Sequence, residues 1–320
     1  MADRLGPPLG APLFERVAII GIGLIGSSIA RAVRRKSVAK QIVIADCSRE
    51  ALARARALGL ADEVAASSAE AAAQADFVIF CVPVGANEAV ALEVAPALKA
   101  GAIVSDVGSV KGAVIAAIAP HLPEGVHLVP AHPVAGTEQS GPDAGFATLF
   151  LNRWCILTPP EGADPGAVER VRAFWRAIGS NVEVMGAAHH DLVLAITSHV
   201  PHLIAYNIVG TAYDLEETTR SEVIKFSAGG FRDFTRIAAS DPTMWRDVFL
   251  NNKDAVLEAL GRFNEDLTAL QRMIRRGDGD GLFALFTRTR AIRRGIVELG
   301  QETAAPDFGR RAGEDADPAT

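Results

Sequence analysis

The chain has little of what marks several large classes of protein. Its three cysteines, Cys47, Cys81 and Cys155, are odd in number, far apart and in no CxxC pair, which argues against a disulfide framework and for a reducing cytosol. Positive charge is not in surplus: 32 Lys and Arg against 38 Asp and Glu leave a net charge of -6. Nothing therefore draws the molecule as a whole to nucleic acid or to a membrane surface, and an anionic ligand must be met by locally placed cations. An uninterrupted apolar run of membrane-spanning length is missing too. The most apolar long stretch, "VLAITSHVPHLIAYNIVG" from Val193 to Gly210, is broken by His199, Pro201, His202 and Asn207, which suits a buried helix pair better than a span. The opening "MADRLGPPLGAPLFER" has Pro and Gly but no apolar core, so a loose arm is expected and export is not.

What is present is an alternation. From Arg16 to about Val129, the apolar runs "VAII", "QIVIAD", "DFVIFCV", "AIVSDV" and "HLVPA" are separated by alanine-rich helical stretches. Strands so continuous in Val, Ile and Phe are buried on both faces, which requires a parallel sheet with helices above and below. Two more strands, "RWCILTP" and "NVEVM", flank a helix from about Pro165 to Ile178 and are expected to extend the same sheet. After Met185 the strand signals stop, and helical periodicity continues to about Gln301. The organisation expected is a disordered arm over 1–14, an α/β domain over 15–185, an all-α domain over 186–300 and a disordered tail over 301–320.

"VAIIGIGLIGSSIARAV" sets Gly21, Gly23 and Gly26 at GxGxxG spacing, after a strand and at the mouth of a helix whose inner face carries Ile25, Ile29, Ala32 and Val33. Gly21 permits a tight turn, Gly23 lets the backbone approach a pyrophosphate, and Gly26 lets helix and strand pack closely while free N–H groups face the phosphates. Alone the motif is weak. Here "QIVIAD" ends on Asp46, twenty positions after Gly26, where a carboxylate can take both hydroxyls of an adenosine ribose. Asp46 would repel a 2′-phosphate, so NAD is favoured over NADP, although Ser48 and Arg49 offer a hydroxyl and a guanidinium just beyond. The expected cofactor site is thus Gly21, Ile22, Gly23, Leu24, Ile25 and Gly26, with Asp46, Ser48, Arg49 and, from "CVPV" at the sheet's carboxyl edge, Val82 and Pro83.

Hydride chemistry also needs a group to take or polarise the proton leaving the substrate oxygen. Of the seven histidines, His132 follows a strand at the carboxyl edge, where ligands of this fold lie. Ser109, in "SDVGSVKG" at the end of the preceding strand, is placed either to hold the His132 ring or to bond a substrate hydroxyl. His189 and His190 read as polar residues opening a helix. "SHVPH" brings His199 and His202 to one helix face with Pro201 between them, as substrate ligands or as core histidines bonded to carbonyls; a metal site lacks further ligands at matching spacing. "GGFRDFTR" spaces Arg232 and Arg236 at i and i+4 to grip carboxylates, or to form a solvated face with Asp233 pairing to Arg236. Gly229 and Gly230 suggest close backbone approach or a hinge.

In this order, GxGxxG, "SDVGSVK", "HPVAGTEQSG", "SHVPH" and "GGFRDFTRIAASDPTMW" resemble the prephenate and arogenate (cyclohexadienyl) dehydrogenases of tyrosine biosynthesis, over roughly Val17 to Leu299. The resemblance implies a Rossmann-type dinucleotide-binding domain followed by an all-α dimerisation domain, with C-terminal helices like those of 6-phosphogluconate dehydrogenase, and a cytoplasmic homodimer. It implies oxidative decarboxylation: prephenate or arogenate passes hydride from ring C4 to NAD, loses the ring carboxylate as CO2 and becomes aromatic. His132 resembles the histidine that takes the hydrogen bond or proton of the 4-hydroxyl, and Ser109 its assistant. Arg236 resembles the substrate-carboxylate ligand, with Arg232, His202, His199 and Gly229 nearby. Trp245 resembles a pocket aromatic, of the same or the partner subunit, and Glu138 a gate at the entrance. Feedback inhibition by tyrosine at the active site is a further implication. Two other readings stay open: a β-hydroxyacid dehydrogenase, which would want a lysine on the first long helix of the second domain, absent between Asp191 and Tyr213, and a noncatalytic NAD-binding sensor.

Overall fold

The computed structural model describes residues 10–137, 139–214 and 229–298. The expected tail, the first part of the arm and Glu138 lie outside the described residues. In chain order the first elements are β1 (Phe14–Ile20), α1 (Leu24–Lys36), β2 (Ala39–Ala45), α2 (Arg49–Ala57), β3 (Glu63–Val64), α3 (Ser68–Ala72), β4 (Phe77–Phe80), α4 (Asn87–Val94), β5 (Ile103–Asp106), α5 (Gly112–Ile118) and β6 (His127–Leu128). The strands pair in the order β3-β2-β1-β4-β5-β6, all parallel. This is the doubly wound arrangement of a Rossmann-type domain, with its switch point between β1 and β4.

The two-residue period of β1 explains why the sheet is covered on both sides. Val17 and Ile19 enter a core with Ile29, Val33, Phe77, Phe174 and Trp175. Ala18 and Ile20 enter the opposite one, with Val43, Val78, Val94, Val104 and Ile118. Each large apolar side chain so buried contributes about 1.5–3 kcal/mol. The arm expected over 1–14 gives up its last residues to the sheet: the Leu13 amide bonds to the Val38 carbonyl, and Phe14 stacks on Phe77 with centroids 4.9 Å apart.

The expected single sheet is two. "HLVPA" is broken at Pro130, which has no N–H to continue a ladder, and the chain restarts as β7 (Ala131–Pro133). With β8 (Trp154–Leu157) and β9 (Asn181–Val184), β7 forms a separate three-stranded sheet, antiparallel to β8 with His132 opposite Ile156. The helix between these strands, α6 (Pro165–Ala177), is started by Asp164, whose carboxylate accepts the Ala167 amide at 2.7 Å. Its Phe174 and Trp175 cover the same face of the large sheet as α1.

After β9 the chain is helical. α7 (Ala187–Leu194), a π-helical turn (Ala195–His199) and α8 (Val200–Asp214) run on as one helical stretch, where a helix pair was expected. Pro201 has no N–H for the carbonyl four residues back, and a shift to π geometry just ahead of it keeps the helix going. This 28-residue stretch is apolar and long enough to cross a membrane, yet its His190, Asp191 and His199 are buried and hydrogen-bonded within the fold. Next come short helical segments at Gly229–Thr235 and Arg236–Ala239, then the helix Pro242–Asn251, begun by Asp241 with its carboxylate on the Met244 amide at 2.9 Å. The helices Lys253–Arg276 and Gly279–Glu298 follow. By compactness the chain falls into two units, 1–256 and 257–320, so the first helices beyond residue 185 belong to the same unit as the sheets.

Candidate active site

The glycine turn sits between β1 and α1 as its spacing required. Gly21 holds φ at +94°, and a side chain there would strike the Cys81 carbonyl and meet Val82; one at Gly26 would strike the Gly21 carbonyl. Nothing lies within 4 Å of where a Gly23 side chain would begin. α1 starts on Gly23 without a side-chain cap or an acidic residue in its first turn, so its amide end is available to an anion. Asp46, just past β2, accepts the Ile22 amide at 2.8 Å and the Ser48 amide at 2.7 Å, one on each oxygen. The carboxylate is thereby held beside the glycine turn. Ser48 caps α2 by accepting the Ala51 amide, and Arg49 is exposed on the first turn. An open backbone at Gly23, an uncapped helix start and an anchored carboxylate fit the pyrophosphate and ribose of a dinucleotide.

His132, on β7, is buried. Its backbone is fixed through its neighbour: Lys111 donates from Nζ to the Ala131 carbonyl at 2.8 Å, and the Asp106 carboxylate accepts the Ala131 amide at 3.3 Å. Lys111 and Asp106 pair with each other at 2.5 Å, both inaccessible to solvent. Burial pushes the Asp106 carboxyl up and the Lys111 amine down, and their mutual attraction opposes both shifts. The His132 ring is held not by Ser109, whose hydroxyl makes no hydrogen bond among the described residues, but by His190, with Nδ1 and Nε2 2.8 Å apart. His190 is no polar helix-start residue: it is fully buried, and its Nδ1 lies 2.8 Å from the Asp191 carboxylate. Burial pushes that carboxyl up, but the His190 ring and the Lys111 and Gly112 amides, each amide at 2.8 Å, more than offset this and hold it below the ordinary range. Burial, with His190, Lys111 and His199 adding, pushes the His132 imidazole well below its usual 6.5, so it is neutral at pH 7.

The second helical layer closes the site. Asn252 donates to the Asp191 carbonyl at 2.8 Å and to His199 Nδ1 at 3.0 Å. Reversing the amide would set its oxygen against that carbonyl, so the assignment is forced. His199 therefore carries its proton on Nε2, where the Ser109 main chain favours the protonated ring, but burial outweighs this and pushes its pKa down to about 4. His202 Nδ1 donates to the Ser198 carbonyl at 2.8 Å, and the ring stacks on Trp245 of the same chain at 3.7 Å. Burial lowers the His202 pKa, and the charge of Arg236 lowers it further. Arg236 begins a 3-10 segment instead of continuing the helix that carries Arg232, so the expected i, i+4 pair does not share one regular helix face. Asp233 takes Arg232 at 3.2 Å. Among the described residues, a side chain begun at Gly229 would meet the Asp233 carboxylate at 3.8 Å, and one begun at Gly230 would meet nothing within 4 Å.

Past residue 141 the chain packs against the helices of the dinucleotide fold. Arg54 of α2 clamps Asp143 at 2.6 Å, and the Phe146 amide bonds to the Ser28 hydroxyl of α1 at 3.1 Å. Asp143 and Phe146 are thus tied to the two helices that flank Asp46. His190, Asp191, Lys111, Asp106 and Asn252 all escaped the sequence reading. "HHD" carried a signal, an acid directly beside two histidines, but its partner lies 58 positions away.

A doubly wound sheet with a fitted glycine turn at its switch point and a neutral, buried histidine nearby defines a dinucleotide-dependent dehydrogenase. Residues 29–184 match the model for the prephenate dehydrogenase nucleotide-binding domain and residues 186–288 that for the prephenate dehydrogenase dimerization domain. The chain is 44% identical to the cyclohexadienyl dehydrogenase of Zymomonas mobilis, over 88% of its own length and 96% of that protein's. It is 34% identical to the prephenate dehydrogenase of Bacillus subtilis, over 92% and 79%. The crystal structure of prephenate dehydrogenase from Aquifex aeolicus with hydroxyphenyl propionate and NAD+ superposes with a TM-score of 0.82 at 34% identity, covering 88% of this chain and 98% of that one. The chain belongs to the prephenate dehydrogenase family.

Proposed function

We propose that the protein oxidises and decarboxylates prephenate, arogenate or both, with NAD as hydride acceptor and His132 as the group that takes the 4-hydroxyl proton. The observation that carries this is His132, buried on β7 and bonded to His190 of the helical side, from which contacts run through Asp191 and Asn252 to His199, Trp245 and His202, the last under the charge of Arg236. NAD, when bound, supplies the acceptor for the ring C4 hydride. Gly23, the start of α1 and Asp46 bind it, and the Asp46 carboxylate favours a free ribose over a 2′-phosphate. Ser109 contributes by hydrogen-bonding the substrate directly, the role its free hydroxyl supports. Arg236, with Arg232 and the histidines of "SHVPH", meets the substrate carboxylates, and Glu138 gates the entrance. Loss of CO2 is driven by aromatisation, so the protein's task is orientation and the proton. A β-hydroxyacid dehydrogenase reading gains nothing from Lys111, whose amine is spent on Asp106 and the Ala131 carbonyl.

We read 15–185 as the cofactor domain and 186–300 as the helical domain of a cytoplasmic homodimer, inhibited by tyrosine at the same site. Exposed apolar side chains support the dimer: Ile196, Val209 and Tyr213 in the first compact unit, and Ile274, Phe283, Phe286 and Ile292 in the second, all at least 40% exposed. The test is NADH or NADPH formation with each substrate and each cofactor supplied separately, beside a His132→Asn variant. Turnover should fall by about 10²–10⁴ in the variant while NAD affinity holds. Turnover with neither substrate, despite NAD binding, would overturn the reading.

A further inference from the structure

We infer that His190 is a positioning residue, which with Asp191 fixes His132 in the one ring tautomer able to accept a proton; this rests on the role proposed for His132 above. Both Asp191 oxygens accept main-chain amides, Oδ1 from Lys111 and Oδ2 from Gly112, each at 2.8 Å. The carboxylate is therefore an acceptor toward His190, and the ring nitrogen it faces, Nδ1 at 2.8 Å, must carry the hydrogen. In the arrangement we infer, that is the one hydrogen the His190 ring carries, and its Nε2 is a lone pair. That lone pair lies 2.8 Å from His132 Nδ1, and two lone pairs cannot share that distance. His132 must donate from Nδ1, which leaves its Nε2 as the acceptor.

The rest of the arrangement serves the same end. His190 is inaccessible to solvent, and the two rings meet at 70° with centroids 5.1 Å apart, so neither is free to turn. Asn252 holds the Asp191 main chain, and Lys111 with Asp106 hold Ala131, the residue before His132. An imidazole left to itself populates both tautomers and favours hydrogen on Nε2, the form that cannot accept there. During turnover the hydroxyl proton passes to His132 Nε2. The imidazolium then donates from Nδ1 to His190, with the Asp191 charge behind it, and releases the proton to solvent after product leaves.

Ring nitrogen shifts of the full-length protein labelled with 15N-histidine test this, His132 being assigned by its loss in His132→Asn. His132 in the parent protein should show hydrogen on Nδ1 and none on Nε2. His190→Leu should shift His132 toward the Nε2–H form and lower kcat roughly 10- to 100-fold, part of what a positioned base supplies, with KM and NAD affinity unchanged. His190→Gln, whose amide oxygen can accept from Nδ1–H, should recover part of that loss. A parent His132 protonated on Nε2 overturns the inference even if His190→Leu does not fold, and so does an unchanged kcat in His190→Leu. Turnover at the parent rate in His132→Asn would remove the reading of His132 itself, whereas a dead His132→Asn beside a fully active His190→Leu would remove the positioning role alone.

Discussion

Burying a charged or titratable side chain obliges the fold to supply partners, and beside His132 the Lys111, Asp106, His190 and Asp191 side chains have them. Lys111 shows the cost most directly, since its amine serves Asp106 and the Ala131 carbonyl without contact with water. Lys111→Ala should leave the Asp106 carboxylate buried and uncompensated, losing about 3–5 kcal/mol of stability by urea denaturation; a loss near zero would mean that water replaces the amine. Residues at this scale were legible where local chemistry spoke for them. Asp46, Gly21, Gly23 and Gly26 announced themselves by spacing, and His132 by its place after an apolar run. The partner of His132 was not legible, because Ser109 sits at the end of the neighbouring strand whereas His190 reaches His132 only once the helical segment docks. Glu138 falls outside the described residues, and its gating role rests on the resemblance alone.

Elements carry a second kind of information, about space. The three glycines look equivalent in sequence, but a methyl group at Gly26 would strike the Gly21 carbonyl while one at Gly23 would meet nothing. Gly26→Ala should therefore destabilise the fold by about 1–3 kcal/mol. Gly23→Ala should leave the unfolding free energy within about 0.5 kcal/mol of the parent and weaken NAD by about tenfold or more. Thermal melts and a cofactor titration separate the two; equal destabilisation would show that Gly23 also serves packing. The large parallel sheet was legible in its apolar runs, whereas β3, only Glu63–Val64, was too short to register. The small second sheet was hidden because "HLVPA" reads as one strand by hydropathy, although Pro130 within it was the mark of a break. The π turn was half visible: Pro201 forecast a disturbance, but not that the helix would survive it.

For the molecule as a whole, the histidines of the site set a limit on acid tolerance. His199 has its pKa lowered from 6.5 to about 4, and His132 and His202 are lowered too. Above pH 6.5 both folded and unfolded forms hold these rings neutral and nothing is lost. Below it the unfolded chain binds protons that the folded chain refuses, so stability falls with pH, by roughly 3 kcal/mol for His199 alone between pH 6.5 and 4. Asp191, lowered instead, adds its loss only below the ordinary carboxylate range. Urea midpoints at pH 7.5 and 5 check this, and His199→Asn should flatten the difference; equal midpoints in the parent would contradict the burial of neutral rings.

The hydrogen bond between His132 and His190 joins residues on opposite sides of position 185, where the two family matches meet. A genetic crossover there, with a relative lacking a histidine at the position of His190, would produce a chimaera with every recognisable motif in order and no ring to hold Nδ1 of His132. The two halves of this chain are thus not interchangeable cassettes, and selection on catalysis should keep them travelling together.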